Sequence, residues 1–146
     1  MVMTIKQALK QRKKLDRKIK DVANRMMEYN TIQSHNIRHY SSKESMDKYL
    51  QLIDEVVVLK TAIYRASVPV LDTKFKLDKL KYFVYTLRDM NCAEGLWKDE
   101  FNHKNKTVYA SEITLTERDK LIEQYEGEIE RLEEVLEEFY TKTSIS

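Results

Sequence analysis

The chain has 146 residues and a formal net charge of +2, with 42% hydrophobic and 34% charged residues. That size suits a single domain spanning 1–146, and so small a net charge gives no argument for nucleic acid from the total. Two glycines and one proline are too few for a turn-rich sheet protein, and the lone Cys92 excludes an internal disulfide. No apolar run approaches the roughly 18 residues of a membrane span. The N-terminus lacks a signal-peptide core, and the cysteine usage fits a reducing cytoplasm. The expected fold class is mainly α: four long helices in antiparallel packing, with a short β-hairpin.

The first helix is predicted from Thr4 to about Glu28. Ile5, Ala8, Leu15, Ile19, Val22 and Met26 recur at three and four residues, with Arg12 filling the one gap. This spacing lays one apolar seam along a helix. A near-3.5 repeat follows a partner helix over several turns. A polar connection, Thr31 to Ser42, comes next, and Ser41 or Ser42 is placed to cap the second helix. That helix is predicted over Lys43 to Ser67. Its apolar set includes Met46, Leu50, Leu52, Val56, Val57, Ile63 and Tyr64 and spans more than one face. Burial from two sides is expected, by its own chain and by another subunit.

Pro69 is predicted to stop the second helix. Val70 to Lys76 then reads as extended, and a third helix covers Leu77 to Glu94. Gly95 sits where a helix would end in a left-handed residue. Leu96 to Lys106 reads as a loop, and Thr107 to Ala110 as a short strand paired with Val70 to Phe75. The last helix starts at Thr114 or Thr116, each followed three residues on by an acid, as in a capping signature. Gly127 inside it hints at a close backbone approach.

Charge is segregated along the chain. Thr4 to Glu28 holds nine basic and three acidic residues, while Glu117 to Glu138 holds ten acidic and three basic. The first and last helices are therefore expected to lie together antiparallel, within or between chains. Exposed pairs contribute a few tenths of a kcal/mol each, so they set register more than stability. This reading is preferred over a nucleic-acid-binding basic helix, because the acidic helix answers the charge.

No catalytic signature is present. There is no glycine-rich phosphate loop, no nucleophile elbow and no cysteine pair for zinc. His35 and His39 stand four apart in a polar loop, without the further donors that a metal site needs. Cys92 with His103 is read as a buried thiol and a loop histidine, not as nucleophile and base. A ligand site is the better expectation. Phe83, Trp97 and Tyr109 could stack on a base, and Phe101 lies in the same stretch. Arg65, Arg88 and Arg118 could hold phosphate through their planar forks, and Asn91 could read a base or ribose. Backbone amides ahead of Thr116, near Ser111 and Thr114, would add an anion site. For any single aromatic, a place in the core is the competing reading. Arg12 and Arg65 on apolar stripes each need a partner.

The opening Ile5-Lys6-Gln7-Ala8-Leu9 through Arg12, Leu15, Ile19 and Arg25, then Asn30-Thr31-Ile32-Gln33, resembles a family of small helical bacterial and phage proteins. Ala62-Ile63-Tyr64-Arg65, Ser111-Glu112-Ile113 and Glu138-Phe139-Tyr140-Thr141 fit the same scattered pattern. Ala110 stands where arginine often precedes the Ser-Glu-Ile stretch. The family's phage-borne members include the Thoeris anti-defence protein 1. The resemblance implies no enzyme and no cofactor. It implies a homo-oligomer, from dimer to hexamer, in a bacterial host's cytoplasm. Such proteins hold intact a cyclic ADP-ribose isomer made by a TIR-domain enzyme and so block Thoeris defence. Some also take up cyclic oligonucleotides. The expectation is a protein of this kind, and the alternative is a helical oligomeric scaffold that binds a protein.

Overall fold

Local capping sets the helix starts. In the computed structural model, which describes residues 2–98 and 106–146, α1 spans Ile5–Tyr29 behind an N-cap at Thr4. The Thr4 hydroxyl accepts the Gln7 amide, and the Gln7 side chain accepts the Thr4 amide. Two orphan donors are thus satisfied reciprocally. α2 spans Ser42–Ser67, and Ser41 is its cap, accepting the Glu44 amide. Ser42 instead ties α2 to the end of α1, its hydroxyl donating to the Met26 carbonyl at 2.9 Å. α4 spans Leu115–Lys142 behind Thr114, whose hydroxyl accepts the Glu117 amide.

The expected four separate helices are instead three continuous helical stretches in a chain that is 75% helical. Pro69 does not stop the second. It lies in a 3-10 turn, Val68–Val70, from which α3, Leu71–Asp89, continues directly. A proline is tolerated there because a fresh first turn has no use for its missing N–H. The residues expected to be extended, Val70 to Lys76, are consequently helical from Leu71 onward, and α3 ends at Asp89 rather than Glu94. The hairpin pairs different partners from those expected. β1, Gly95–Lys98, runs antiparallel to β2, Lys106–Tyr109, with Leu96 opposite Val108 and Trp97 opposite Thr107. Gly95 takes φ +87°, a conformation that an L side chain rarely adopts. Among the described residues, no helix is long and apolar enough to cross a membrane.

The chain forms two compact units, Met1–Val70 with Glu137–Ser146, and Leu71–Leu136. In the first, α1 and α2 pair antiparallel. Leu15, Leu52 and Val56 make one buried cluster with Ile19, Val22 and Leu59 against it. Ile5, Ala8 and Ile63 make another, closed by Phe139, Tyr140 and Ile145. The chain ends are clasped: the Ile5 amide donates to the Thr143 carbonyl at 2.8 Å and the Ile145 amide to the Met3 carbonyl at 2.9 Å. Lys6 pairs with Glu137. In the second unit, Val84, Leu87 and Ile122 form the core of α3 against α4, with Met90, Leu121, Tyr125 and Ile129 around it.

The charge expectation is met only at this clasp. Among the described residues, Lys6–Glu137 is the ion pair that joins α1 to α4. Further along α4 the acids pair with α3 instead, as Arg88–Glu126, Lys76–Glu128 and Lys81–Glu133.

Among the described residues, a Cβ placed on Gly127 meets nothing within 4 Å, so the expected close approach is absent and the glycine is an ordinary mid-helix residue of α4. Gly127→Ala should stabilise the protein by about 0.4–1 kcal/mol, read from urea unfolding. The Lys6 ammonium, by hydrogen bond first and then by charge, holds the Glu137 carboxyl below its ordinary range. A depressed carboxylate stabilises above its unfolded pKa, and that contribution is lost as pH falls through the folded one. Lys6→Ala should therefore lower the melting temperature at neutral pH, and the gap from the parent should close as the solution is acidified below the carboxylate range.

Candidate functional site

The end of α3 and the start of α4 frame a hollow of about 420 Å³, lined by Arg88, Arg118, Asp119, Ile122, Glu123 and Glu126. Two of the three arginines expected to grip phosphate are here. Both are already engaged. Arg88 bonds to Glu126. Arg118 bonds to Asp119 through Nε at 3.3 Å and Nη2 at 3.2 Å, and its Nη1 donates to the Met90 carbonyl at 3.4 Å. With Glu123, three carboxylates face two guanidiniums. A diphosphate entering this hollow would meet a net negative lining.

The remaining residues expected at the site serve local structure or stand apart. Asn91 follows the end of α3, and its side-chain oxygen accepts the Ala93 amide at 2.9 Å. The Ser111 hydroxyl donates to the Ala93 carbonyl at 2.7 Å. Together with Arg118 on Met90, these side chains fasten the turn that leads into the hairpin. Thr114 caps α4, which occupies one of the amides expected to form an anion site. The Phe83 ring meets Tyr125 edge-on, with centroids 5.1 Å apart, and stays partly exposed. Tyr109 closes β2 opposite Gly95 and is exposed. Arg65 lies in the last turn of α2, in the other unit, exposed and without a partner among the described residues. Phe101 and His103 lie outside the described residues, as does the side chain of Trp97. Among the described residues, no three His, Cys, Asp or Glu side chains gather to hold a metal.

A different feature lies on α2. α2 carries its apolar residues on two lines. One, through Leu52, Val56 and Ile63, is buried under α1. The other is Met46, Leu50, Val57 and Tyr64, continued by Val68 of the 3-10 turn, which are 46%, 55%, 54%, 60% and 52% exposed. Spacings of four and seven keep them on one side of the helix, about one residue's rotation from the buried line. The burial from two sides expected of α2 is thus supplied from one side by its own chain. On α3, the rings of Tyr82 and Tyr85 stack with centroids 6.2 Å apart, and both are exposed.

No protein-family model, no curated protein and no solved structure matches this chain.

The placement of Asn91 gives a test that needs no ligand. Asn91→Ala should lower stability by about 0.5–1.5 kcal/mol, the worth of one hydrogen bond, in urea unfolding of the protein alone.

Proposed function

We propose that this protein is a non-enzymatic helical assembly module that associates through the outer face of α2. One observation carries the reading: a line of large apolar side chains, Met46, Leu50, Val57, Tyr64 and Val68, stands roughly half exposed over the length of a helix. Scattered surface apolar residues need no explanation, but a contiguous helical stripe is a binding face. Repeats of four and seven residues are the spacing with which one helix meets another. Sedimentation velocity over a range of concentrations should show species larger than the monomer. The double variant Leu50→Glu, Tyr64→Glu should shift the protein to monomer while its helical circular dichroism is kept. A parent chain that stays monomeric at the highest concentration reached would remove the proposal.

A second reading is favoured by the exposed tyrosine pair of α3 and the partly exposed Phe83. In it the assembly is a phage or prophage immune-evasion protein in the bacterial host's cytoplasm. It would sequester a cyclic ADP-ribose isomer without cleaving it, block TIR-dependent Thoeris defence, and take cyclic oligonucleotides at a further site. Its support is the resemblance drawn from Ile5 to Gln33 and from the ends of α2 and α4, together with aromatic faces open to a base. The pairing of Arg88 and Arg118 with carboxylates weighs against them as the phosphate clamp. Titration calorimetry with a purified cyclic ADP-ribose isomer should give a saturable heat, reduced in Phe83→Ala, and heating the complex should return the molecule intact. No heat, with no shift in melting temperature, leaves the first reading alone.

A further inference from the structure

The exposed line on α2 has a symmetry in its sequence. Counted outward from Val57, it meets Ile53 and Thr61 at four residues, Leu50 and Tyr64 at seven, and Met46 and Val68 at eleven. A second copy laid antiparallel with Val57 on Val57 therefore brings Leu50 against Tyr64 and Met46 against Val68 in successive layers. Each larger side chain then faces a different one, so that neither like-sized pair is forced together. A parallel pair would set Tyr64 on Tyr64 and Leu50 on Leu50.

Charge decides between the two. Asp47 and Arg65 flank the line on the same side of α2, near its two ends. Both are exposed, and neither has a partner among the described residues. In a parallel pair the twofold axis runs along the helices. It puts the same flank of the two copies on opposite sides of the seam, so Asp47 and Arg65 stay apart and unanswered. In the antiparallel pair centred on Val57, same-side flanks face each other. Each Asp47 then comes within two residues, about 3 Å along the axis, of the other copy's Arg65. Opposite charges meet at both ends, and the two copies of Asp47 lie at opposite ends; the like charges nearest each other are the exposed Asp54 pair on the same flank, about 9 Å apart along the axis.

We infer that α2 is the interface of an antiparallel twofold dimer of this chain, centred on Val57 and bounded by Asp47 pairing with Arg65 of the second copy. The inference rests on the reading of the α2 face as an association surface and adds its occupant, direction and register. A twofold contact of this kind closes on itself, because the same patch serves both partners. At the usual helix separation of about 8–10 Å, side chains on the axis lie within disulfide reach once the backbones settle together. Residues seven positions off the axis stand about 21 Å from their own copies.

The test is oxidative cross-linking in the full chain with Cys92→Ser as background. Val57→Cys should cross-link to itself. Leu50→Cys and Tyr64→Cys should each fail alone and cross-link when mixed. Asp47→Arg and Arg65→Asp should each weaken association by roughly threefold to tenfold, and the two combined should recover it. All variants should keep the parent's circular dichroism. Association with Leu50→Cys linking to itself would make the pair parallel and overturn the inference while leaving the assembly reading intact. Association with no link at any of the three positions would place the interface elsewhere and also overturn it. A monomeric parent would sink the inference and the assembly reading together.

Discussion

A helix that is apolar on two lines cannot be satisfied by one neighbour. This constraint governs α2. Leu52, Val56 and Ile63 lie under α1, where Leu15, Ile5 and Ala8 complete the packing. Each such side chain contributes about 1.5–3 kcal/mol when fully removed from water, and α1 supplies that cover. The second line is rotated by about one residue and stays outside α1's reach. The half-exposed Met46, Leu50, Val57 and Tyr64 leave apolar area open along the helix that burial under a partner would remove from water.

Charge organises the molecule differently from apolar burial. α1 is basic along its outer faces, yet its ion pair with α4 among the described residues is Lys6–Glu137, at the clasp of the chain ends. The acids nearer the middle of α4 find Arg88, Lys76 and Lys81 on α3. All of these pairs reach solvent, so each adds little to stability. What they fix is alignment. Lys6 on Glu137 accompanies the backbone bonds of Ile5 with Thr143 and Ile145 with Met3, and these tie both ends of the chain to the same apolar cluster.

Much of the fold is legible in the sequence because it is local. Thr4 with Gln7, Ser41 with Glu44 and Thr114 with Glu117 are capping patterns complete within four residues, and the seams of α1 and α2 are visible in their spacing. The departures share a cause. Pro69 reads as a stop because its own helical bond is lost, but a 3-10 turn lets a new helical register begin around it. Once α3 starts at Leu71, residues 70–75 are no longer free to form a strand, and the hairpin has to close on the nearer segment, Gly95–Lys98. Gly127 shows the limit of reading a purpose into one residue, since none of the described residues crowds the place of its missing Cβ. The charge segregation anticipates the Lys6–Glu137 clasp but not the pairs further along α4, because sequence gives the sign of a helix and not that Lys76, Lys81 and Arg88 of α3 answer those acids.

The candidate ligand residues show the same limit at finer scale. Asn, Ser and Arg near a helix end can serve either a bound molecule or the unsatisfied backbone of the end itself. The backbone is always present and within two or three residues, so it has the advantage. Asn91 on Ala93, Ser111 on Ala93 and Arg118 on Met90 all take that course. Arg88, one face away, meets Glu126 across the helix pair. A guanidinium held by a carboxylate can still bind an anion, but it must first surrender that partner, and in the α3–α4 hollow three acids surround two bases. Arg65 differs from them in having no carboxylate partner among the described residues. Its position beside the apolar line of α2 gives an unanswered charge and an uncovered hydrophobic face to the same surface, and a single occupant able to satisfy both is the simplest resolution of the two.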